Sequence, residues 1–192
     1  MNKTFIYGRI PSQEECYRIM TQYSMLPNIA EHSYQVMCVT LAIADNLRKG
    51  VMVDRDLMIA AALLHDITKA RSLKTQERHD LTGGLLLREL GFICIAEIVE
   101  QHVVFNNFKE YGALEEREIV FYADKRVMHN RIVTVDERIQ DLVNRYGLTE
   151  EISDMIIENK CLIHSIECKI AGFMQVDLHE AIAAIESNSI SY

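Results

Sequence analysis

Apolar residues recur along most of the chain at the three- and four-residue spacing of amphipathic helices. The pattern predicts helices over about 12–24, 29–48, 54–67, 92–104, 114–129, 135–146, 149–173 and 177–187, and a further helix from a cap at Asp80 or Thr82 to about Gly91. Residues 68–78 and 105–113 are polar and predict loops. No low-complexity segment, internal repeat or Pro/Gly-rich linker interrupts the pattern, so we expect one all-α domain over residues 1–192.

The predicted third helix differs from the others because it is apolar on nearly every face. Its run LMIAAALL covers residues 57–64 and contains no charged side chain. A helix that is apolar all round packs against other elements on every side. We therefore expect this helix at the centre of the molecule, with its C-terminal end, at His65 and Asp66, held rigidly in the interior.

The composition narrows the class of protein. Apolar residues make up 49% of the 192 residues, and the formal net charge is −8. This acidic balance argues against binding nucleic acid polymers, which requires an excess of Lys and Arg. The five cysteines have no C-x-x-C spacing, the N-terminal segment has no signal-peptide core, and the longest apolar run is too short to cross a bilayer. We expect a soluble cytoplasmic protein with reduced thiols and no membrane contact.

Three polar residues lie where the helical pattern requires apolar ones. His32, His102 and Asp124 each continue an apolar stripe of their helix, and helical geometry turns all three toward the core. A single inward histidine is usually a hydrogen-bonded core residue, but a buried unpaired carboxylate is strongly unfavourable. Together with His65 and Asp66, these side chains would be satisfied at one point by a cation.

The ligand types predict the kind of cation. Imidazole nitrogen and carboxylate oxygen, without thiolate, favour a transition metal of the iron, manganese or zinc group. Neighbouring residues within a helix point about 100° apart, so His65 and Asp66 would ligate together only where the helix ends. The sequence places both of them at such an end.

Three segments resemble the local signatures of the HD superfamily of metal-dependent phosphohydrolases. They are AEHSYQV at 30–36, AALLHDITK at 61–69 and VFYADKRV at 120–127, and they contain His32, His65, Asp66 and Asp124 in the order of that family. The resemblance implies a helical bundle of the HD type. Its core would cover about 28–130, and accessory helices would follow over about 135–187.

Two further histidines resemble those of superfamily branches that bind two metals. These branches include HD-type dinucleoside polyphosphate hydrolases, HD ribonucleases and oxidative HD enzymes. The resemblance implies two divalent transition metals per chain, iron, manganese or similar, one held by His32, His65, Asp66 and Asp124 and the other by His79 and His102 with Asp66 bridging. Asp80 would only cap its helix. A single His102 in place of a His-His pair, and the lack of a G-Y-P signature, argue against the cyclic-dinucleotide phosphodiesterase branch.

The resemblance also implies the reaction. A metal-activated water would attack a phosphate ester or anhydride, with Asp66 and Lys69 as catalytic residues and Lys69 neutralising the phosphoryl oxygens. Arg71 and Lys125 are further candidates for substrate binding, because the segment 69–78 is basic and Lys125 adjoins Asp124. For Lys125, a solvated surface charge is an equally good interpretation. The expected substrate is a small phosphorylated molecule, a nucleotide or a dinucleoside polyphosphate.

Other functions and the assembly state stay open at this point. The six ligands also suit a mixed-valent di-iron oxygenase, and an HD module could sense a nucleotide without cleaving it. The isoleucine stripe of the 149–173 helix is either a core contact or a homodimer surface. We expect structural or surface roles for His129, His164 and His179. We expect the loop 105–113 and the N-terminal helix to form the walls of the site.

Overall fold

The architecture is helical almost throughout. The computed structural model describes the backbone of residues 8–189 and the side chains of residues 8–185. Its helices are α1 (Gln13–Gln22), α2 (Pro27–Ala44), α3 (Arg55–Leu64), α4 (Lys69–Thr75), α5 (His79–Glu89), α6 (Ile93–Val99), α7 (Glu116–Lys125), α8 (Val135–Tyr146), α9 (Glu150–Phe173) and α10 (Leu178–Ser189). The predicted all-α class is confirmed.

Helix α3 occupies the centre of the bundle, as its apolar composition predicts. Residues 60–64 are fully buried, and α3 packs against α1, α2, α6 and α7. The Asp54 carboxylate caps its first turn. The helix ends at Leu64, so His65 and Asp66 lie in the turn that leads to α4, surrounded by the other helices.

The segment after this turn is a helix and not the predicted loop. Helix α4 begins at Lys69 and ends before Gln76, whose φ of 59° is left-handed. The loop prediction rested on polarity alone, but Ala, Leu, Lys and Arg, which make up most of this segment, are strong helix formers. The helix places Lys69 one short turn after Asp66.

The predicted cap of the next helix is wrong. Helix α5 begins at His79 with Arg78 as its N-cap residue, and Asp80 lies buried in the first turn, paired with the Arg78 guanidinium. A carboxylate is favourable in that turn because of the helix dipole. Thr82 does not cap the helix either, because it lies inside α5, where its hydroxyl donates to the Arg78 carbonyl at 3.3 Å.

Three other helices, α2, α6 and α7, end four or five residues earlier than predicted, and α2 ends at Ala44. Helix α6 ends at Val99, so His102 lies in the turn beyond it. Helix α7 ends at Lys125 and is followed by a short antiparallel β-hairpin of β1 (Val127–Met128) and β2 (Arg131–Ile132). Strands of two residues are too short to produce an alternating pattern in the sequence. His129 lies in the turn of this β-hairpin and has a left-handed φ of 57°.

Helices α8 and α9 form a helical hairpin joined by residues 147–149. The side chains of Thr134 and Glu137 form a capping box that starts α8, and the Thr149 hydroxyl caps α9. Both helices pack against α7, so this α8–α9 hairpin lies beside the helix that carries Asp124. None of the helices within residues 8–189 is long and apolar enough to cross a membrane.

The isoleucine stripe of α9 has two different environments. Ile163, Ile166 and Ile170 are fully buried in the core. Ile152, near the start of the helix, is 39% exposed. The stripe is therefore a core contact in its C-terminal half, while its N-terminal half faces a cavity that is described below.

Candidate metal centre

The structure brings the six predicted ligand residues together in the interior. They form a first group of His32, His65 and Asp66 and a second group of Asp66, His79 and His102, and within each group the ligand atoms lie within 4.8 Å of one another. Asp124 adjoins the first group. All six are buried except His79, which is partly exposed.

The first group collects side chains from helices that are distant in sequence. His32 lies on α2, His65 at the end of α3 and Asp124 near the end of α7. The Asp124 Oδ1 atom lies 3.0 Å from His32 Nε2 and 3.7 Å from His65 Nε2. The Asp66 Oδ2 atom lies 3.5 Å from His65 Nε2. Two imidazoles and two carboxylates therefore face one small region.

The second group uses the other oxygen of the same aspartate. Asp66 Oδ1 lies 3.1 Å from His79 Nε2 and 3.4 Å from His102 Nε2. The two Nε2 atoms of His79 and His102 are 3.1 Å apart. Asp66 thus directs Oδ2 to the first group and Oδ1 to the second, which is how a bridging carboxylate is oriented.

Backbone carbonyls orient three of the four imidazoles. A carbonyl only accepts hydrogen bonds, so the Nδ1 atom that contacts it carries the proton and leaves the Nε2 atom free to ligate. Metal-binding histidines are commonly held in this way. The Nδ1 donors and their acceptors are His32 with the His129 carbonyl at 2.8 Å, His65 with that of Ala62 at 2.8 Å, and His102 with that of Val99 at 2.7 Å.

A glycine allows the two helices beside the second group to lie close together. Gly84 of α5 faces α6, and a Cβ atom at this position would overlap the Glu100 side chain. Glu100 in turn pairs with Arg88 of α5 at 2.6 Å. Because His79 begins α5 and His102 follows α6, the approach of these helices determines the spacing of the two imidazoles.

Both carboxylates of the centre are held in their charged form. Burial raises the pKa of Asp66, but the Lys69 ammonium and His65 outweigh this, and the pKa lies well below its ordinary value. Burial opposes the ionisation of Asp124 in the same way, and there Lys125 and His32 hold the pKa well below its ordinary value. Both groups therefore present a full negative charge to a cation.

The pKa values of the buried His102 and His65 shift in opposite directions. Burial lowers the pKa of His102 more than Asp66 raises it, and the pKa falls to about 4. Burial also disfavours the charged form of His65, but Asp66 and Asp124 outweigh it, and the pKa is raised. His102 is thus neutral near neutral pH and able to ligate, whereas a metal at His65 competes with a proton.

Unsatisfied buried atoms show that this arrangement fits a cation. Among the described residues, His65 Nε2 and Asp66 Oδ1 are buried without a hydrogen-bond partner. Such an atom costs about 1–3 kcal/mol when nothing satisfies it. The facing Nε2 atoms of His79 and His102 likewise need a proton or a cation between them. Imidazole nitrogen and carboxylate oxygen together are the ligand types that suit divalent transition metals.

Two lysines adjoin the carboxylates. Lys69 Nζ donates to Asp66 Oδ2 at 2.7 Å. Lys125 Nζ donates to Asp124 Oδ2 at 2.6 Å and to the His102 carbonyl at 2.7 Å. Lys125 is only 6% exposed, so its interpretation as a solvated surface charge is wrong.

The other cations of the basic segment lie away from the centre. The Arg71 side chain is 56% exposed and pairs with Glu77 at 3.1 Å, and Arg78 pairs with Asp80. Lys74 is exposed on α4. None of these three cations lines the cavity beside the centre, whereas Lys69 does.

A cavity of about 430 Å³ opens beside the centre, with His79, His102 and Asp124 among its lining residues. The expectation that the loop 105–113 and the N-terminal helix form its walls is wrong, because neither contributes a lining residue. Which face of an amphipathic helix covers a site depends on tertiary packing that the pattern does not encode. The remaining lining residues are Lys69, Ser72, Leu73, Val103, Lys125, Arg138, Ile139, Leu142, Arg145, Tyr146, Ile152, Ile156 and Asn159.

Arg138 is a lining residue that the sequence interpretation missed. It is 7% exposed and lies on the apolar stripe of α8, at three and four residues from Val135 and Leu142. This is the same conflict of pattern that identified Asp124, so a signal for Arg138 was available. Asn159 and Tyr146 carry no comparable signal, since both are ordinary residues for an exposed helix face.

The other histidines lie outside the two groups. His164 and His179 approach Glu167 at 3.6 Å and 4.0 Å, and their side chains are 42% and 61% exposed. His129 contributes only its backbone carbonyl to the centre. Their assignment to structural or surface roles stays a prediction.

Comparison with known proteins gives one match. The family model described as HD domain matches residues 29–129, a range that covers more than half of the chain and contains all six predicted ligand residues. No curated protein and no solved structure matches. The matched range ends before α8, so the α8–α9 hairpin lies outside it.

Proposed function

The chain belongs to the HD domain family, and on that premise we propose that it is a metal-dependent phosphohydrolase. It would cleave a phosphate ester or anhydride of a small molecule, with a nucleotide or a dinucleoside polyphosphate as the expected substrate. The observation that carries the proposal is the shared Asp66, whose two oxygens face two groups of histidines while Lys69 lies beside it at the cavity.

The six ligand residues would hold two divalent cations. His32, His65 and Asp124 would serve one, His79 and His102 the other, and Asp66 both. When bound, two such cations supply a hydroxide at neutral pH and neutralise phosphoryl oxygens. The orphaned Asp66 Oδ1 and His65 Nε2 atoms support this ligand set.

Lys69 would bind the phosphoryl group directly. Among the described residues its ammonium donates one hydrogen bond, to Asp66, and it lines the cavity, so two N–H groups stay available for an anion. Lys125 has donated to both Asp124 and the His102 carbonyl and keeps one. Lys125 would therefore act mainly by its charge and by holding the second group in place. Arg71 has no place in this proposal because its exposed side chain pairs with Glu77.

The proposal is tested by metal analysis followed by a phosphatase screen. Protein purified without added metal should contain close to two divalent metals per chain and should release phosphate from nucleotides. Lys69→Gln should lower kcat/KM by roughly 10²–10³-fold while the metal content is unchanged, because it removes a charge that faces the transferred group. Lys74→Gln removes the same charge from the exposed side of α4 and should leave activity unchanged.

Two results would contradict the proposal. If the protein contains one metal per chain, and His79→Ala or His102→Ala does not change that content, the proposal of a dinuclear centre is refuted. Oxygen-dependent turnover with a mixed-valence iron signal, and no release of phosphate, would assign the centre to an oxygenase instead.

A further inference from the structure

Both helices of the α8–α9 hairpin contribute lining residues to the cavity beside the candidate metal centre. Helix α8 contributes Arg138, Leu142 and Arg145, which follow each other at four and three residues and so share one face. The facing wall on α9 has Ile152, Ile156 and Asn159 at the same spacing. This part of the cavity lies outside the range that the HD domain model matches.

The two arginines of this wall carry an unbalanced positive charge. Arg138 Nη1 lies 2.9 Å from Asp141 Oδ2, and Arg145 Nη1 lies 3.5 Å from the same oxygen. One carboxylate therefore serves two guanidinium groups. At the centre, by contrast, Lys69 and Lys125 each have a carboxylate of their own.

Arg138 also has an unused donor. Its side chain is 8% exposed, and among the described residues its Nε atom is buried without a hydrogen-bond partner. A buried donor without a partner is unfavourable, and guanidinium groups bind carboxylates and phosphates through paired N–H groups. Arg138 itself lines the cavity, so an anion there would pair with the guanidinium N–H groups that face the cavity, and Asn159 lines the same cavity as a neutral donor.

Apolar side chains line the same cavity as the two arginines and the candidate metal ligands. Ile139, Leu142 and Ile156 line the cavity together with Val103 and Tyr146. Such walls favour a hydrocarbon or aromatic body over a compact polyanion such as pyrophosphate. The cavity therefore offers, in one space, a site for a phosphoryl group, an apolar surface and a second cationic site.

We propose that the substrate is a phosphate monoester whose apolar or aromatic body carries a second anionic group, which Arg138 binds and Arg145 attracts. The inference rests on the proposed function, because it takes the metal end of the cavity as the site of the phosphoryl group. Arg138 thereby selects among phosphate esters, while Lys69 contacts the group that is transferred.

Binding of phosphonates to the metal-loaded protein, measured by calorimetry, tests this proposal. Alkylphosphonates and phosphonoalkanoates with two to eight methylene groups form pairs that differ only in a terminal carboxylate. At the chain length that spans the cavity, the carboxylate should tighten binding about tenfold or more, as a charged hydrogen bond does. Arg138→Gln should abolish this difference and leave the affinity for alkylphosphonates within about twofold.

Matched variants keep the test decisive. Lys160→Gln removes one positive charge from the same hairpin, at a half-buried residue paired with Asp136, and should preserve the carboxylate preference. If Arg138→Gln fails to fold, Arg145→Gln, whose side chain is 43% exposed, should reduce the preference about threefold. Equal affinity within every pair, or a preference that survives both arginine substitutions, would overturn the inference.

The outcome separates this inference from the proposed function. Alkylphosphonates that bind only with metal, together with hydrolysis of the corresponding alkyl phosphates, would support the phosphohydrolase even if the terminal carboxylate had no effect. If no ester is hydrolysed but a carboxylate preference that depends on Arg138 is found, the cationic site is supported and the phosphohydrolase activity is refuted.

Discussion

The two halves of the candidate metal centre are built differently. In the first group, His32 and His65 are buried and each is held by a backbone carbonyl, while Asp124 from α7 lines the cavity but is only 5% exposed. In the second group, the His79 side chain is 21% exposed and lines the cavity. Rigid, dry ligands favour tight metal binding, whereas a ligand at the edge of a cavity favours exchange with substrate and solvent. We therefore expect the first metal to be retained more strongly than the second.

The largest effect should come from the residue that both halves share. Asp66→Asn keeps the shape of the side chain but removes the charge that faces both groups, so both metals should bind at least about a hundredfold more weakly and hydrolysis should be lost. Elemental analysis after dialysis measures this. Asp136→Asn, at an exposed carboxylate, is the control. A variant that loses one metal and retains the other would show that Asp66 does not bridge.

A pair of histidine substitutions separates the halves. His79→Gln should yield protein with about one metal per chain, because the first group keeps all of its ligands. His32→Gln should lower the affinity of the first metal by about tenfold to a hundredfold and release it on dialysis. Metal titration of both variants compares them directly. Equal losses would mean that the two metals bind only as a unit.

The pH dependence of the metal-free protein should distinguish the halves in opposite directions. The pKa of His102 is lower in the folded than in the unfolded protein. As the pH falls from about 6.5 to about 4, the unfolded chain therefore binds a proton that the folded protein does not, and the free energy of unfolding decreases. His65 has a raised pKa, so its contribution is complete below about pH 6.5 and is lost as the pH rises through its folded value.

Chemical denaturation across the pH range measures both contributions. His102→Gln should reduce the acid-side loss of unfolding free energy by at most about 3 kcal/mol, and His65→Gln should reduce only the loss on the alkaline side. Identical pH profiles for the wild type and both variants would refute the opposite titration of the two groups.

The smallest effect concerns the carbonyl that orients His32. His129 has a left-handed φ of 57°, which a β-branched residue adopts poorly, so His129→Val should cost about 1–2 kcal/mol and weaken the first metal alone. His129→Gly accepts this conformation and is the matched control. Calorimetric titration of the first metal should show weaker binding for the valine variant than for the glycine variant. If both bind equally, the β-hairpin turn does not position His32.

The sequence predicts the first group better than the second. His65, Asp66 and Asp124 conflict with strongly apolar surroundings, and burial makes that conflict costly enough to be informative. His79 has no such context, and only the family resemblance identified it. The position of His102 beyond the end of α6 was not predictable from the apolar stripe that leads to it.

The walls of the cavity were the least predictable part of the molecule. Helix α4 has a polar sequence without an apolar stripe, so its helical state depends on propensity and on its contact with α5. The α8–α9 hairpin was predicted as two helices, but the face that Leu142 and Ile156 present to the cavity follows from how the hairpin meets α7. Only Arg138 carried a local signal.

The close approach of α5 and α6 at Gly84 has a consequence for comparing chains of this family. A larger residue at that position would force Glu100 away from Arg88 or move the helices apart, and either change shifts His79 relative to His102. An alignment restricted to metal ligands would score such a chain as intact. The size of residue 84 therefore indicates, independently of the ligand residues themselves, which relatives can bring the two histidines of the second group close enough to bind one ion.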